Sequence, residues 1–107
     1  MLAFGALSDP TRRRIVELLA QGESSAGAIG ASFSVSQPAV SQHLRKLKEA
    51  GLVRVRADGQ RRLYAIDPEG LRAIDDWLGP MRRFWEPRMD RLEEEMRRSR
   101  VPTRRRP

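Results

Sequence analysis

The stretch SQPAVSQHLRKLKEAGLV, residues 36–53, decides the fold of this chain, because it carries the signals of one short amphipathic helix. Ser36 can accept hydrogen bonds from the first backbone N–H groups, and Pro38 is tolerated in a first helical turn. Apolar residues recur at the i, i+4, i+7 spacing of a buried stripe. They are Val40, Leu44 and Leu47. Gly51 supplies the left-handed residue that ends such a helix.

The opposite side of this helix is polar and cationic near its beginning. Amides, hydroxyls and guanidinium groups are the groups that hydrogen-bond to base edges in the DNA major groove. The predicted base contacts are Gln37, Pro38, Ser41, Gln42 and Arg45, and the predicted backbone contacts on this segment are Ser36, His43 and Lys46. A purely solvated helix face is the alternative, and the elements on either side favour DNA. His43 either contacts a phosphate or makes a structural hydrogen bond, since one imidazole alone builds no tight metal site.

The residues before this helix predict a helix–turn–helix. Residues 1–7 are typical of the end of a short apolar helix. Asp9-Pro10 predicts the start of a helix that runs to about Gln21, and residues 26–33 predict a shorter one. Ser34-Val35 then leaves room only for a tight turn.

After the helix the apolar period changes to two, which predicts a β-hairpin. Residues 52–57 alternate apolar residues with arginine, Asp58-Gly59 is a strong turn signal, and residues 62–66 return. A short hairpin next to a helix–turn–helix is a wing. Its basic side chains are Arg56, Arg61 and Arg62. They predict contacts to the DNA backbone or minor groove, the alternative being edge charges that discourage sheet pairing.

A second helical region is predicted from Asp67-Pro68 onward, with apolar residues at threes and fours, close to a heptad. Gly79-Pro80 and Pro87 are expected to break or kink it. The stripe is longer than one small domain needs, which indicates a seam between two chains. The predicted interface residues are Leu2, Phe4, Leu71, Ile74, Trp77, Leu78, Met81, Phe84, Trp85, Met89 and Leu92. Aromatic residues at helical spacing favour such an interface over a ligand cage.

Charge is distributed unevenly along the 107 residues, which suffice for one small domain. Residues 1–66 hold ten basic and five acidic side chains, or +5, whereas residues 67–96 hold five and nine, or −4. This contrast predicts a polyanionic partner for the first part and a protein partner for the second. Residues 97–107 hold six arginines and no acid, and predict a disordered basic tail that adds sequence-independent affinity for DNA.

The composition also excludes several functions. The absence of cysteine removes disulfides, thiolate metal sites and thiol redox chemistry, and neither a metal nor a cofactor is expected. No apolar run approaches about 20 residues and no signal peptide is visible, so a soluble, cytoplasmic protein without membrane contact is expected. Ser41 and His43 point in different directions on one helix and lack an orienting carboxylate, which argues against an enzyme.

Three motifs in this order, SDPTRRRIVELL, SQPAVSQHLRKLKEAGLV and VRVRADGQRRLYAID, resemble the ArsR family of bacterial winged-helix repressors over roughly residues 4–96. The resemblance implies a mainly α fold with a small β-hairpin, a winged helix-turn-helix that dimerises through its terminal helices. It implies a domain over residues 1–96, with dimerisation helices in 68–96, and a homodimer on a double-stranded operator with two-fold symmetry. Gln37, Ser41 and Gln42 match the family's major-groove positions, and the hairpin arginines match its wing.

The chain departs from the metal-sensing members of that family, which use cysteines beside the recognition helix or His/Asp clusters on the dimer helices. It has no cysteine, and its single histidine is His43. The comparison therefore implies a member without a thiolate metal sensor, whose effector is an unknown small molecule or protein. The first helix is short for the family, so either the dimer interface is reduced or the start lies upstream. The alternative function is a winged-helix module that binds other proteins.

Overall fold

Eight elements of regular structure follow one another along the part of the chain that the structure describes. The structure is a computed structural model, and it describes the backbone of residues 2–104 and the side chains of residues 2–99. The helices are α1 (Leu2–Ala6), α2 (Pro10–Leu19), α3 (Ala26–Ser32), α4 (Gln37–Glu49) and α5 (Pro68–Arg104), and the strands are β1 (Ser24–Ser25), β2 (Val53–Asp58) and β3 (Arg61–Ile66). The chain divides into two compact units at residues 74 and 75.

Three helices begin at side chains that accept a hydrogen bond from the backbone N–H three residues on. The pairs are Asp9 with Arg12 at 2.9 Å, Ser25 with Ala28 at 3.1 Å and Ser36 with Ala39 at 3.3 Å. Each of these bonds satisfies one of the N–H groups that a helix leaves without an internal partner. The predicted starts of α2, α3 and α4 are therefore confirmed.

Helix α4 ends at the predicted glycine. Gly51 has a φ of +79°, and its N–H donates to the Lys48 carbonyl at 3.0 Å. The next N–H, that of Leu52, donates to the Leu47 carbonyl at 3.0 Å. These two bonds form a Schellman motif, which needs a residue in the left-handed region. The motif turns the chain directly into β2.

The sheet contains one strand more than the sequence predicts. β2 and β3 pair antiparallel from Val53 opposite Ile66 to Asp58 opposite Arg61, and Gly59, with a φ of +64°, lies in the two-residue loop. β1 pairs with the other side of β3, so the strand order is β1-β3-β2. A two-residue strand of serines has no apolar alternation, so the sequence carries no signal for it.

The core of the first unit lies where α2, α3, α4 and β2 meet. Its fully buried side chains are Ile15, Ile29, Val40, Leu44, Leu47, Leu52 and Val53. All three residues of the predicted α4 stripe are among them. Because each such side chain gains about 1.5–3 kcal/mol on burial, this stripe fixes the rotation of α4 about its own axis.

Helix α5 is continuous from Pro68 to Arg104, so Gly79-Pro80 and Pro87 do not break it, and the alternative that they kink it stays a prediction. Each proline removes one backbone N–H donor, which weakens a helix without necessarily ending it. Gly79 has no Cβ to clash with the ring of Pro80, which relieves the usual strain before a proline. Next to Pro87, the Arg88 guanidinium donates to the Phe84 carbonyl at 2.7 Å.

The expectation of a disordered tail also differs from the structure, because residues 97–104 continue α5. Glu94 pairs with Arg97 at i+3 and with Arg98 at i+4. Pairs at these spacings stabilise a helix, and arginine itself is a good helix former. Residues 105–107 of the predicted tail lie outside the described residues. Along the described chain, no helix is long and apolar enough to cross a membrane.

Replacement of Gly70 tests how closely α5 approaches the end of α4. A Cβ at Gly70 would overlap the Gly51 carbonyl oxygen and lie 2.7 Å from the carbonyl carbon, and both atoms are backbone. We expect Gly70→Ala to lower the free energy of unfolding by about 1–3 kcal/mol. Gly27→Ala is the matched control, because that first-turn glycine of α3 has open space around it. The control should be neutral or gain up to about 1 kcal/mol. Equal urea midpoints for the two variants would contradict the packing.

Candidate DNA interface

The polar face of α4 is exposed over its whole length. Its exposed side chains are Gln37, Pro38, Ser41, Gln42, Arg45, Lys46, Lys48 and Glu49, and the capping residue Ser36 is exposed as well. The buried stripe on the other side of the helix holds this face outward. Every residue predicted to read bases is therefore accessible to a large ligand.

A groove joins this face of α4 to the hairpin. Its volume is about 230 Å³, and it is lined by Ser41, Leu44, Arg45 and Lys48 of α4 and by Val55, Arg62 and Tyr64 of the hairpin. Cations therefore lie on both sides of one groove, which the hydroxyl-bearing residues Ser41 and Tyr64 also line. Lys48 and Tyr64 were not among the predicted site residues, although both belong to elements that the sequence predicts.

The register of β2 and β3 separates the hairpin arginines. Side chains of paired residues lie on the same face, and successive pairs alternate between the two faces. Ala57 pairs with Arg62, two positions from the pair of Val55 and Tyr64, so Arg62 shares the face of the groove. Arg56 and Arg61 belong to the alternate pairs and lie on the other face. The three arginines were predicted as one group, although the parity of their residue numbers carries this separation.

The two arginines on that other face form ion pairs. Arg56 is bound by both carboxylate oxygens of Glu23, with its Nη2 2.6 Å from Oε1 and its Nε 3.2 Å from Oε2. Arg61 donates to Asp58 at 2.8 Å. The hydrogen bond from Arg56 lowers the pKa of Glu23, and that from Arg61 lowers the pKa of Asp58. DNA contacts by Arg56 and Arg61 stay predictions, and each would compete with an existing partner.

His43 lies on the flank of α4 and faces the start of α2. Its Nδ1 is 3.9 Å from Asp9 Oδ2 and 3.5 Å from Arg12 Nη1. The structural alternative for this histidine is therefore realised, and a phosphate contact stays a prediction. The backbone N–H of Arg12 lowers the pKa of Asp9, and the charges of His43 and Arg12 act in the same direction.

The three arginines of the first turn of α2 bind the protein itself. Arg12 Nε donates to the Ala6 carbonyl at 2.6 Å, and Arg13 Nη1 donates to the Leu7 carbonyl at 2.8 Å. Cations at the end of α1 complement the partial negative charge of its last carbonyls. The Arg14 guanidinium lies 5.4 Å from the centre of the Phe33 ring. These contacts offset the unfavourable interaction of the three cations with the dipole of α2.

Gln37, the first residue of α4, rests against α3. A Cβ at the buried Gly30 would overlap the Gln37 amide nitrogen. The missing side chain of Gly30 therefore makes room for a side chain predicted to read bases. The small residue thus permits a close contact between α3 and α4.

Large apolar side chains remain exposed along the described part of α5. They are Leu71, Trp77, Met81, Phe84, Trp85, Met89, Leu92 and Met96, with exposed fractions between 38% and 60%. Leu78 and Ile74 are half-buried, and Ile74 packs against the core of the first unit. Near the other end of the chain, Leu2 and Phe4 are exposed as well. Most of the predicted interface residues therefore belong to an apolar surface that remains exposed to solvent in a single chain.

Comparison with known proteins identifies the family. The profile of the family described as "Bacterial regulatory protein, arsR family" matches residues 9–55, which hold α2, α3 and α4. The chain is 51% identical over 83 residues to the HTH-type transcriptional regulator Rv2034 of Mycobacterium tuberculosis, covering 78% of this chain and 75% of that protein. It is 39% identical over 75 residues to the transcriptional repressor SdpR of Bacillus subtilis, covering 70% and 83%.

The chain belongs to the ArsR family. A solved structure with the same fold is the homodimeric winged helix-turn-helix DNA-binding domain Mb0332 of Mycobacterium bovis, a possible ArsR-family regulator. It is 32% identical with a TM-score of 0.63, covering 74% of this chain and 76% of that one. The predicted winged helix-turn-helix is thereby confirmed. The protein is a DNA-binding transcriptional regulator and not an enzyme, and the protein-interaction module is not favoured.

Among the described residues, no group of three or more histidine, cysteine, aspartate and glutamate side chains is placed to hold a metal ion. Two acidic residues of α5 form ion pairs with arginine, Asp75 with Arg82 at 3.0 Å and Glu94 with Arg97 and Arg98.

Acid titration of stability tests the Asp9 cap, which holds α2 and faces His43. Because the pKa of Asp9 is lowered from its ordinary value of 3.8, its ionised form stabilises the fold above that pH. This stabilisation is lost as the pH falls through the lower pKa of the folded state. We expect the urea midpoints of the wild type and Asp9→Asn to differ at pH 7 and to converge in strong acid. Asparagine is itself a good cap, so the variant folds at every pH. Glu17→Gln is the control, and a constant difference between wild type and Asp9→Asn would contradict the assignment.

Proposed function

We propose that the chain forms a homodimeric repressor that occupies an operator with two-fold symmetry. The observation that carries this proposal is the groove in which Ser41 and Arg45 of α4 lie opposite Arg62 of the hairpin. A helix with hydrogen-bonding side chains enters the major groove, and a basic hairpin beside it reaches the adjacent backbone. A repressor bound in this way blocks access of the polymerase to the promoter.

The site residues divide by role. Gln37, Ser41, Gln42 and Arg45 read base edges from the major groove, with Pro38 at the start of the helix against the bases. Ser36, Lys46 and Arg62 contact phosphates and fix the position of α4 without reading sequence. Lys48 joins this second group, because it lines the same groove as Arg62. Arg56, Arg61 and His43 contribute only where a phosphate displaces their present partners.

The exposed apolar face of α5 supports the homodimer. A second copy of the chain covers Trp85, Met89 and their neighbours, as expected of a helix seam whose flanks carry charges of both signs. The solved relative from Mycobacterium bovis is a homodimer. Two protomers place two recognition helices about 34–36 Å apart, one turn of DNA.

The signal that releases the repressor is not a metal bound by thiolates, since the chain contains no cysteine. We infer a small molecule or a protein as the effector. We also infer a cytoplasmic location, because the proposed partner is an operator and bacterial DNA lies in the cytoplasm.

Selection from randomised duplexes tests the proposal directly. The selected sites should form an inverted repeat whose half-sites are about one helical turn apart, because the dimer is two-fold symmetric. On the selected duplex, Gln42→Ala should weaken binding by about 1–3 kcal/mol and relax the preference at one base position.

Arg62→Ala, in contrast, should weaken binding to all sequences alike and lower the salt slope by about one unit per protomer. The two variants control for each other, since one removes base reading and the other removes a phosphate contact. Selected sites without an inverted repeat would contradict the symmetric operator. An unchanged salt slope for Arg62→Ala would contradict the role of the hairpin.

Truncation of Trp85 tests the dimer. Trp85→Ala removes one of the largest exposed side chains of α5. If the second copy buries this side chain, its truncation costs about 3–5 kcal/mol of dimer stability. We expect the variant to elute as a monomer at micromolar concentration, with its circular dichroism retained. Binding to the inverted repeat should fall because the second half-site loses its effective concentration.

Arg91→Ala is the matched control for the dimer experiment, because Arg91 lies two residues from Met89 and therefore off the apolar stripe. It should stay dimeric in size-exclusion chromatography with light scattering. A dimeric Trp85→Ala protein would place the interface elsewhere, with α1 and α2 as the remaining candidates.

A further inference from the structure

The ion pair of Arg56 with Glu23 lies on the face of the hairpin away from the α4 groove. Glu23 binds Arg56 through both carboxylate oxygens, at 2.6 and 3.2 Å, in the two-pronged geometry that carboxylates and guanidinium groups favour. Both side chains remain partly exposed, with 58% of the Arg56 side chain and 37% of the Glu23 side chain accessible to solvent. The pair therefore lies on the surface, where a phosphate could compete for the guanidinium.

The backbone holds the two partners together. Glu23 directly precedes β1, and β1 pairs with β3 through Ser24 opposite Tyr64 and Ser25 opposite Leu63. Leu63 is also the residue that pairs with Arg56 on β2. The backbone on both sides of the ion pair is thus held by the same strand, which brings the two side chains within reach of each other.

We propose that Glu23 withholds Arg56 from DNA, so that the hairpin presents Arg62 to the phosphates and makes one phosphate contact fewer per protomer. Glu23 then limits the affinity for every sequence alike, although it touches no base. This inference rests on the proposed function. It adds to that function a restraint on sequence-independent affinity.

The physical reason lies in how phosphate contacts contribute to binding. Each phosphate that a cation neutralises adds affinity for every sequence, and this affinity depends steeply on salt. An arginine that remains paired with a carboxylate of the protein neutralises no phosphate and adds no affinity for DNA. Transfer of Arg56 to a phosphate would also leave the Glu23 carboxylate near the negative charge of the DNA. The hydrogen bond from Arg56 keeps the pKa of Glu23 low, so the carboxylate is ionised at neutral pH.

Charge pairing on this face is repeated at the tip of the hairpin. Arg61 donates to Asp58 at 2.8 Å, and the pair of Asp58 and Arg61 lies on the same face as Arg56. Two of the three arginines on the face away from α4 are thus paired with carboxylates, and the third is Arg54. The pairing of Arg56 and Arg61 supports a role in limiting the phosphate contacts of the hairpin.

A double-mutant cycle tests the proposal on full-length protein. Salt slopes are measured for the wild type, Arg56→Gln, Glu23→Gln and the double variant, on the selected operator and on an unrelated duplex. Arg56→Gln should keep the wild-type slope, because this arginine makes no phosphate contact. Glu23→Gln should steepen the slope by about 0.9 per protomer, through the released Arg56. Between 200 and 50 mM salt this corresponds to about a threefold larger gain in affinity per protomer. The double variant should return to the wild-type slope.

Each contrary result overturns the proposal. A lower slope for Arg56→Gln would mean that Arg56 already contacts a phosphate. An unchanged slope for Glu23→Gln would mean that Arg56 is not withheld. A Glu23→Gln effect that persists without Arg56 would arise from the carboxylate charge alone, acting at a distance. Glu17→Gln controls for the loss of a surface carboxylate on another element. A wild-type protein that binds no duplex would instead overturn the proposed function, and this inference with it.

Discussion

Burial of one stripe of α4 is the constraint on which the rest of this structure depends. Val40, Leu44 and Leu47 are fully buried, and they hold the helix in a single rotation about its axis. That rotation alone leaves Ser41, Gln42 and Arg45 outward, because a helix that buries one face must present the other. The caps act on the same helix from its two ends. Ser36 sets where its polar face begins, and the Gly51 turn directs the next strand so that Arg62 shares a groove with it. The same apolar contacts that stabilise the domain therefore position the side chains that we propose to face DNA.

Local signals were sufficient for most of the fold. Caps, an i, i+4, i+7 stripe and a period of two are read within a few residues, so the starts of α2, α3 and α4 and the hairpin were predicted correctly. The parity of the hairpin residues was available as well, and it places Arg62 on one face and Arg56 on the other. This parity was not used in the prediction, which treated the arginines at the tip as one group. The exposed residues of α4 were predicted from the spacing of its buried stripe. Their individual roles depend on contacts with DNA, which the sequence of one chain does not describe.

The missed features depend on contacts between residues far apart in sequence. Glu23 and Arg56 are separated by 33 positions, and His43 lies 31 positions from Arg12. Strand β1 exists only because β3 offers a free edge to it. The continuity of α5 was left open for a different reason. A proline removes one hydrogen bond and strains its neighbour, but a helix of 37 residues retains many others. In addition, Gly79 reduces the strain at Pro80, and the pairs of Glu94 with Arg97 and Arg98 extend the helix into a segment whose composition suggested disorder.

The charge of the first 66 residues consequently gives a misleading picture of the DNA-binding surface. Arg12 and Arg13 are bound to the carbonyls that end α1, and Arg14 covers the Phe33 ring. Arg56 and Arg61 are matched by carboxylates. The cations of the groove are Arg45, Lys48 and Arg62, and they come from two elements whose relation is fixed by the core and by the hairpin register. Net charge attracts the protein to any polyanion, but the arrangement of these few cations beside the polar face of α4 decides how it docks. We therefore expect the affinity for DNA to depend as much on the arginines that bind groups of the protein itself as on those that line the groove.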